Sequence, residues 1–191
     1  MNLQHLNVKI MIADPQTLDF EEFIPIFHRW IQQKVTEERI LDVADYLHVP
    51  EGPGVMLIGH EANFSIDHTE GRWGFLYNRK TAMEGENADK IRGVLKAALA
   101  HAQRLEKEPA LKAKLAFNAG EMQVLVNDRL LAPNTEASLK ALEPDLKATL
   151  GALYGKSSYH LKRHEDPRER LTLEVKAEKP LAVSDVIKNL G

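Results

Sequence analysis

The chain has 191 residues, 43% of them hydrophobic, with 25 Lys and Arg against 28 Asp and Glu. This length and apolar content suit one domain with a buried core, and a net charge of −3 argues against a nucleic-acid partner. The absence of cysteine excludes disulfides, thiolate metal sites, iron–sulfur clusters and cysteine nucleophiles.

Nothing in the sequence indicates a membrane location. No apolar stretch approaches the roughly 20 residues that a membrane-spanning helix needs. The first five residues, Met1 to His5, lack the basic start and apolar run of an export signal. We therefore expect a soluble, cytoplasmic protein with no membrane partner.

The first 80 residues predict a strand, a helix and a meander. Residues 6–12 alternate apolar and polar before becoming apolar, which is typical of a strand entering a core. Apolar residues three or four apart then predict a helix beginning near Ile24, with Pro25 in its first turn. Strong turn signals separate four further segments, which we expect to pair as consecutive antiparallel strands: 41–49, 55–60, 63–68 and 73–79.

The apolar spacing after residue 80 predicts a long helix over residues 87–107. The segment Asn118-Ala119-Gly120 then predicts a hairpin turn, because Asn and Gly tolerate positive φ. A second long helix should run from a cap at Asn134 or Thr135 to Tyr154, bent or split by Pro144.

The last part of the chain predicts a hairpin around residues 164–167, followed by a short helix capped by Ser184. Because residues 155–158 read as a linker, we divide the chain into an α+β core domain, residues 1–155, and a hairpin-helix appendage, residues 156–191, packed on or near the core. The predicted fold class is α+β, an antiparallel meander sheet with helices packed on one face.

Two segments, 76–107 and 125–154, each lead from a strand end through a loop into a long helix. Both strand ends carry an asparagine, Asn78 in the first and Asn127 in the second. The pattern indicates an internal duplication. Chance is the alternative, because asparagine is a frequent turn residue.

The turns of the meander also predict its register. We expect Val49 to pair with Val55, His60 with Phe64 and His68 with Trp73. One face of the sheet would then form the core and collect the apolar side chains of Tyr46, Ile58, Phe64, Ile66, Trp73 and Phe75.

Polar side chains at the edge of this face predict a ligand-binding site. Its expected residues are His60, Tyr77, Asn78, Arg79, Asn127 and Arg129, the last two on the strength of the duplication alone. A rim that mixes aromatic and charged groups is typical of pockets for small molecules, and arginine suits an anion. The same residues also have ordinary structural roles: a histidine at a strand end is commonly a packing residue, and Arg79 can cap the following helix.

No metal or cofactor site is predicted. The predicted register places His48 and His60 at opposite ends of the sheet face, and no His-Glu-x-x-His spacing occurs. No nucleophile elbow, phosphate-binding loop or dinucleotide fingerprint is present. Basic residues at 162–170 alternate with acids, which is typical of a solvated hairpin tip rather than a nucleic-acid site.

Two classes of function stay open. The first is a ligand-binding or protein-interaction module without catalytic activity, whose partner is a homodimer mate, another protein or a small anionic molecule. The second is a cofactor-independent enzyme in which His60 acts as general acid/base and Arg79 binds an anionic group of the substrate. The sequence identifies neither the ligand nor the substrate.

Overall fold

A computed structural model, which describes residues 1–190, contains one eight-stranded antiparallel sheet and four α-helices. The strands are β1 (Leu6–Ile12), β2 (Ile40–Tyr46), β3 (Gly54–Gly59), β4 (Ala62–Asp67), β5 (Gly74–Arg79), β6 (Phe117–Val126), β7 (Tyr159–Arg163) and β8 (Leu171–Ala177). Their order across the sheet is β2-β3-β4-β5-β1-β6-β8-β7. The helices are α1 (Phe23–Gln33), α2 (Asn87–Glu106), α3 (Glu136–Tyr154) and α4 (Val183–Val186). The predicted α+β class is confirmed.

The side chains of the central strand β1 alternate between the two faces of the sheet. All seven of its residues are buried. Its residues Leu6, Val8, Ile10 and Ile12 belong to the hydrophobic core beneath the helices. The alternating residues, which include Asn7 and Lys9, belong to the opposite face, called here the open face. The sheet therefore buries polar groups on the side without helices.

Helices α1, α2 and α3 begin close to their predicted starts. Pro25 lies in the first turn of α1, and Lys34 ends that helix in a left-handed conformation with φ 50°. Thr135 caps α3, its hydroxyl accepting a hydrogen bond from the Ser138 amide. Pro144 is expected from the sequence to bend or split α3; the helix is not split, since it continues through Pro144 from Glu136 to Tyr154. None of the helices in residues 1–190 is both long and apolar enough to span a membrane.

The predicted hairpin turn at residues 118–120 is wrong, because β6 is one continuous strand. The register between β1 and β6 shifts there instead, from Ile10 opposite Met122 to Met11 opposite Asn118. A Cβ on Gly120 would lie 2.8 Å from the Lys179 carbonyl oxygen, so the close approach requires glycine. Residues that suit a turn thus form a bulge in this strand.

The meander is confirmed as β2 to β5, but two of its three registers differ from prediction. The β4–β5 register is as expected, with Ile66 opposite Phe75. The turn between β3 and β4 has only two residues, so Ile58 lies opposite Asn63 and outside the core. A register change by an odd number of residues moves every side chain to the other face.

The β2–β3 register is also shifted, with Tyr46 opposite Gly54 rather than Ile58. This shift is four residues, an even number, so Tyr46 stays on the same face as Ile58 and leaves the core with it. Tyr46 is 39% exposed. Val55 and Leu57 take the core positions on β3.

The C-terminal hairpin joins the main sheet, because β8 pairs with β6 and β7 forms the edge. The predicted cap at Ser184 is wrong: Ala182 is the residue before α4, and Ser184 lies inside the helix. The strands β5 and β6 flank β1 and run in the same direction, and α2 packs against α3. The internal duplication stays a prediction.

Candidate functional site

Two adjoining cavities form a groove along α2 on the helix side of the sheet. The first, of about 350 Å³, is lined by Tyr77 and Arg79 of β5 together with the loop after it. The second, of about 310 Å³, is lined by His101 and by residues near it on α2. Both cavities share Glu38, Gly93 and Ala97 as lining residues. The small side chains on α2 leave this space open, since a Cβ on Gly93 would meet nothing within 4 Å.

Glu38 joins the two cavities through its carboxylate. It lies in the loop between α1 and β2 and is half-buried. The Nε2 of His101 lies 3.2 Å from one carboxylate oxygen, and the Tyr77 hydroxyl donates to the other at 3.4 Å. One loop residue, one strand residue and one helix residue thus form a hydrogen-bonded cluster, which we call the Glu38 cluster.

The His101 ring lies between the rings of Tyr77 and Phe64. It stacks on Tyr77 with the two ring planes 11° apart, and it meets the edge of Phe64 at a centroid distance of 4.4 Å. Its side chain is 8% exposed. The Nδ1 atom is buried and has no hydrogen-bond partner within residues 1–190. Leaving such a buried atom unpaired costs about 1–3 kcal/mol.

The environment sets the protonation of the Glu38 cluster. Burial, followed by the nearby Glu38 charge, raises the pKa of Tyr77 to about 12, so its hydroxyl stays a donor at neutral pH. Burial also acts to raise the pKa of Glu38, but hydrogen bonds from His101, the backbone and Tyr77 outweigh it and hold that pKa below its ordinary value. Glu38 is therefore ionised at neutral pH.

Arg79 places a cation beside Tyr77 of this cluster. Its Nε donates to the Thr81 carbonyl at 3.3 Å, and its guanidinium opposes the rise in the pKa of Tyr77. A guanidinium can hold a carboxylate or phosphate by two parallel hydrogen bonds. The 350 Å³ cavity thus combines Arg79 and the ionised Glu38 with apolar walls that include Met83 and Val94. Its lining also holds the charged residues Glu84, Asp89 and Lys90.

The structure brings only two of the predicted site residues, Tyr77 and Arg79, into one cavity. His60 lies in the two-residue β3–β4 turn, where its side chain is 64% exposed and lies 3.3 Å from the Glu61 carboxylate. It does not line the groove. Asn78 lies on the open face, opposite Asn7 of β1.

Arg129 belongs to a different cavity, of about 280 Å³, on the open face of the sheet. Lys9 and Arg170 also line that cavity. Asn127 lies close to it, because its side-chain oxygen accepts a hydrogen bond from Arg170 at 3.1 Å. The six predicted residues are therefore divided between the two faces of the sheet and an exposed turn.

Sequence reasoning missed both Glu38 and His101. A signal for His101 exists, since it interrupts the apolar stripe of α2 between Ala98 and Leu105 at helical spacing. Glu38 carries no such signal, because it is one acid in a short charged loop. No protein-family model, curated protein or solved structure matches the chain.

Proposed function

We propose that the protein is a binding module for a small organic anion, which occupies the groove along α2. The observation that carries the proposal is the meeting of Arg79, Tyr77 and Glu38 at one 350 Å³ cavity with partly apolar walls. A few polar groups set against apolar walls are what a pocket needs to orient a small molecule.

The polar groups also define the chemical class of the ligand. Arg79 binds a carboxylate or phosphate group. Glu38, which is ionised, repels a second anionic group and accepts a hydrogen bond from a hydroxyl or amine of the ligand. The ligand is therefore a small hydroxy- or amino-substituted acid, or a phosphate ester with a free hydroxyl.

A thermal-shift screen with such compounds tests the proposal, because a ligand that binds only the folded chain raises its melting temperature. The site is assigned with Gly93→Leu, which fills the groove. The matched control is Gly151→Leu on α3, because a Cβ at Gly151 also meets nothing within 4 Å. We expect the shift to disappear in the first variant and to persist in the second; equal shifts in both would place the ligand elsewhere.

Arg79→Gln tests the anion contact separately. Losing a charge-assisted bidentate contact should weaken binding by about tenfold or more, whereas neutral analogues of the ligand should bind both forms alike. Isothermal titration calorimetry gives both affinities. An unchanged affinity for the anion would remove Arg79 from the site.

The contact between Glu38 and His101 favours a second candidate function, a cofactor-independent enzyme. A carboxylate that orients an imidazole is a common arrangement for general acid/base chemistry. His101 suits this role better than the predicted His60, because His101 lines the groove and contacts Glu38. Any compound found by the screen should then be converted, as followed by NMR. His101→Gln should abolish conversion while retaining binding. If the wild type binds the compound without converting it, the enzyme is excluded and the binding function remains.

A further inference from the structure

Three side chains of metal-ligating type meet on the other side of the molecule. Glu70 lies in the turn after β4, whereas His164 and Glu169 lie in the loop of the β7–β8 hairpin. One ligand atom from each lies within 4.8 Å of the others, which holds for no other such group in residues 1–190. The Nδ1 of His164 is 3.7 Å from a carboxylate oxygen of Glu70 and 3.7 Å from one of Glu169.

These separations match the size of a divalent ion. Two ligand atoms that are each about 2 Å from a tetrahedral zinc ion lie about 3.3 Å apart. Small side-chain movements therefore close the 3.7 Å contacts onto one ion. The three side chains are 44%, 19% and 53% exposed, in the order Glu70, His164, Glu169, which lets an ion enter directly from solvent.

A second layer of residues orients these ligands. The other ring nitrogen of His164, Nε2, lies 3.4 Å from a Glu174 carboxylate oxygen. Arg72 holds the same oxygen through a hydrogen bond of 2.9 Å. Gln123 donates to Oε2 of Glu70 at 3.1 Å, which leaves Oε1 on the side of His164. Metal-binding histidines are commonly oriented by such a carboxylate on the second nitrogen.

We propose that Glu70, His164 and Glu169 bind one divalent metal ion of the zinc type. One imidazole with two carboxylates suits zinc better than calcium or magnesium, which take oxygen ligands and, for calcium, more of them. Three protein ligands leave a coordination position for water or for an anion. The site is separate from the groove along α2, so its test does not depend on the proposed binding function.

Calorimetric titration of the full chain with Zn²⁺, and with Ca²⁺ and Mg²⁺ for comparison, tests this site. We expect one saturable Zn²⁺ equivalent for the wild type and an affinity at least about tenfold lower for His164→Ala. His160→Ala is the matched control, because His160 is an exposed histidine of the same hairpin, outside the cluster. The site is supported if His160→Ala binds Zn²⁺ as tightly as the wild type does. It is overturned if the wild type binds no Zn²⁺ equivalent, or if His164→Ala binds Zn²⁺ as tightly as the wild type.

A second pair of variants covers the case in which His164→Ala perturbs the hairpin. Glu169→Gln should lose binding and Glu165→Gln should keep it, since both residues are exposed but only Glu169 belongs to the cluster. Glu174→Gln should weaken binding by about tenfold or more through the orientation of His164. Far-UV circular dichroism shows that each variant is folded. Equal Zn²⁺ affinities for Glu169→Gln and Glu165→Gln would mean an adventitious surface ion and would overturn the proposal.

Discussion

Lys9 and Asp67 form an ion pair on the open face that is almost completely removed from water. Their side chains are 3% and 4% exposed, and the Lys9 Nζ lies 2.5 Å from the Asp67 carboxylate. Burial lowers the pKa of Lys9 despite the opposing attraction of Asp67. Burial thus disfavours the charged form of Lys9 more than the attraction of Asp67 favours it. Replacing both members of a buried ion pair by neutral residues is often close to neutral for stability, whereas removing one member is costly.

A single and a double variant of this pair should therefore differ in their free energy of unfolding. Lys9→Met leaves the Asp67 charge buried without its cation and should cost about 3–5 kcal/mol in the free energy of unfolding. Lys9→Met with Asp67→Asn removes both charges and should restore most of that loss. Urea denaturation measures both. A double variant as unstable as the single one would show that the pair itself stabilises the chain.

Glu38 predicts a specific loss of stability in acid. Its pKa in the folded chain lies below the ordinary value of 4.5, so its ionised form stabilises the fold above that pH. This contribution is lost as the pH falls below about 4.5 and through the folded pKa. Glu38→Gln should therefore lose less stability than the wild type between pH 5 and pH 3, as measured by urea midpoints. Glu37→Gln, at the exposed neighbouring residue, should behave like the wild type.

At the scale of elements, β2 is an edge strand with an exposed apolar surface. Leu41 is 52% exposed and Tyr46 is 39% exposed. The side chain of Asp42 accepts from the Val43 amide at 2.8 Å, and that of Asp45 accepts from the Leu47 amide at 2.9 Å. Charges and side-chain bonds of this kind oppose pairing with a second chain.

We therefore expect the double variant Asp42→Val with Asp45→Val to associate more strongly than the wild type. Sedimentation velocity over a range of micromolar concentrations measures both. The same experiment on the wild type tests the predicted homodimer. If the double variant sediments as the wild type does at every concentration, the aspartates do not protect this edge.

At the scale of the whole molecule, β1 is an interior strand that joins the meander to the C-terminal half of the sheet. It pairs with β5 on one side and with β6 on the other, whereas β2 and β7 have one neighbour each. Native-state hydrogen exchange should therefore be slowest for β1 and the strands beside it, and fastest for β2 and β7. Amides of β7 that exchange as slowly as those of β1 would contradict this gradient.

The sequence predicted the features of the fold that depend on residues close together in the chain. Helices α1, α2 and α3 follow from local signals such as apolar spacing, Pro25 and the cap at Thr135. The β4–β5 register also follows from its turn. These features depend on residues close together in the chain, which the sequence shows directly.

Tertiary structure alone decided the rest. The two-residue turn places Ile58 outside the core face, and the close approach of the Lys179 carbonyl requires a glycine at position 120. Neither the length of that turn nor that approach can be read from the neighbouring residues. The groove needs Glu38, Tyr77 and His101 from a loop, a strand and a helix that are distant in the chain. The sequence marked Tyr77 and could have marked His101, but only packing across long sequence separations shows that both meet Glu38.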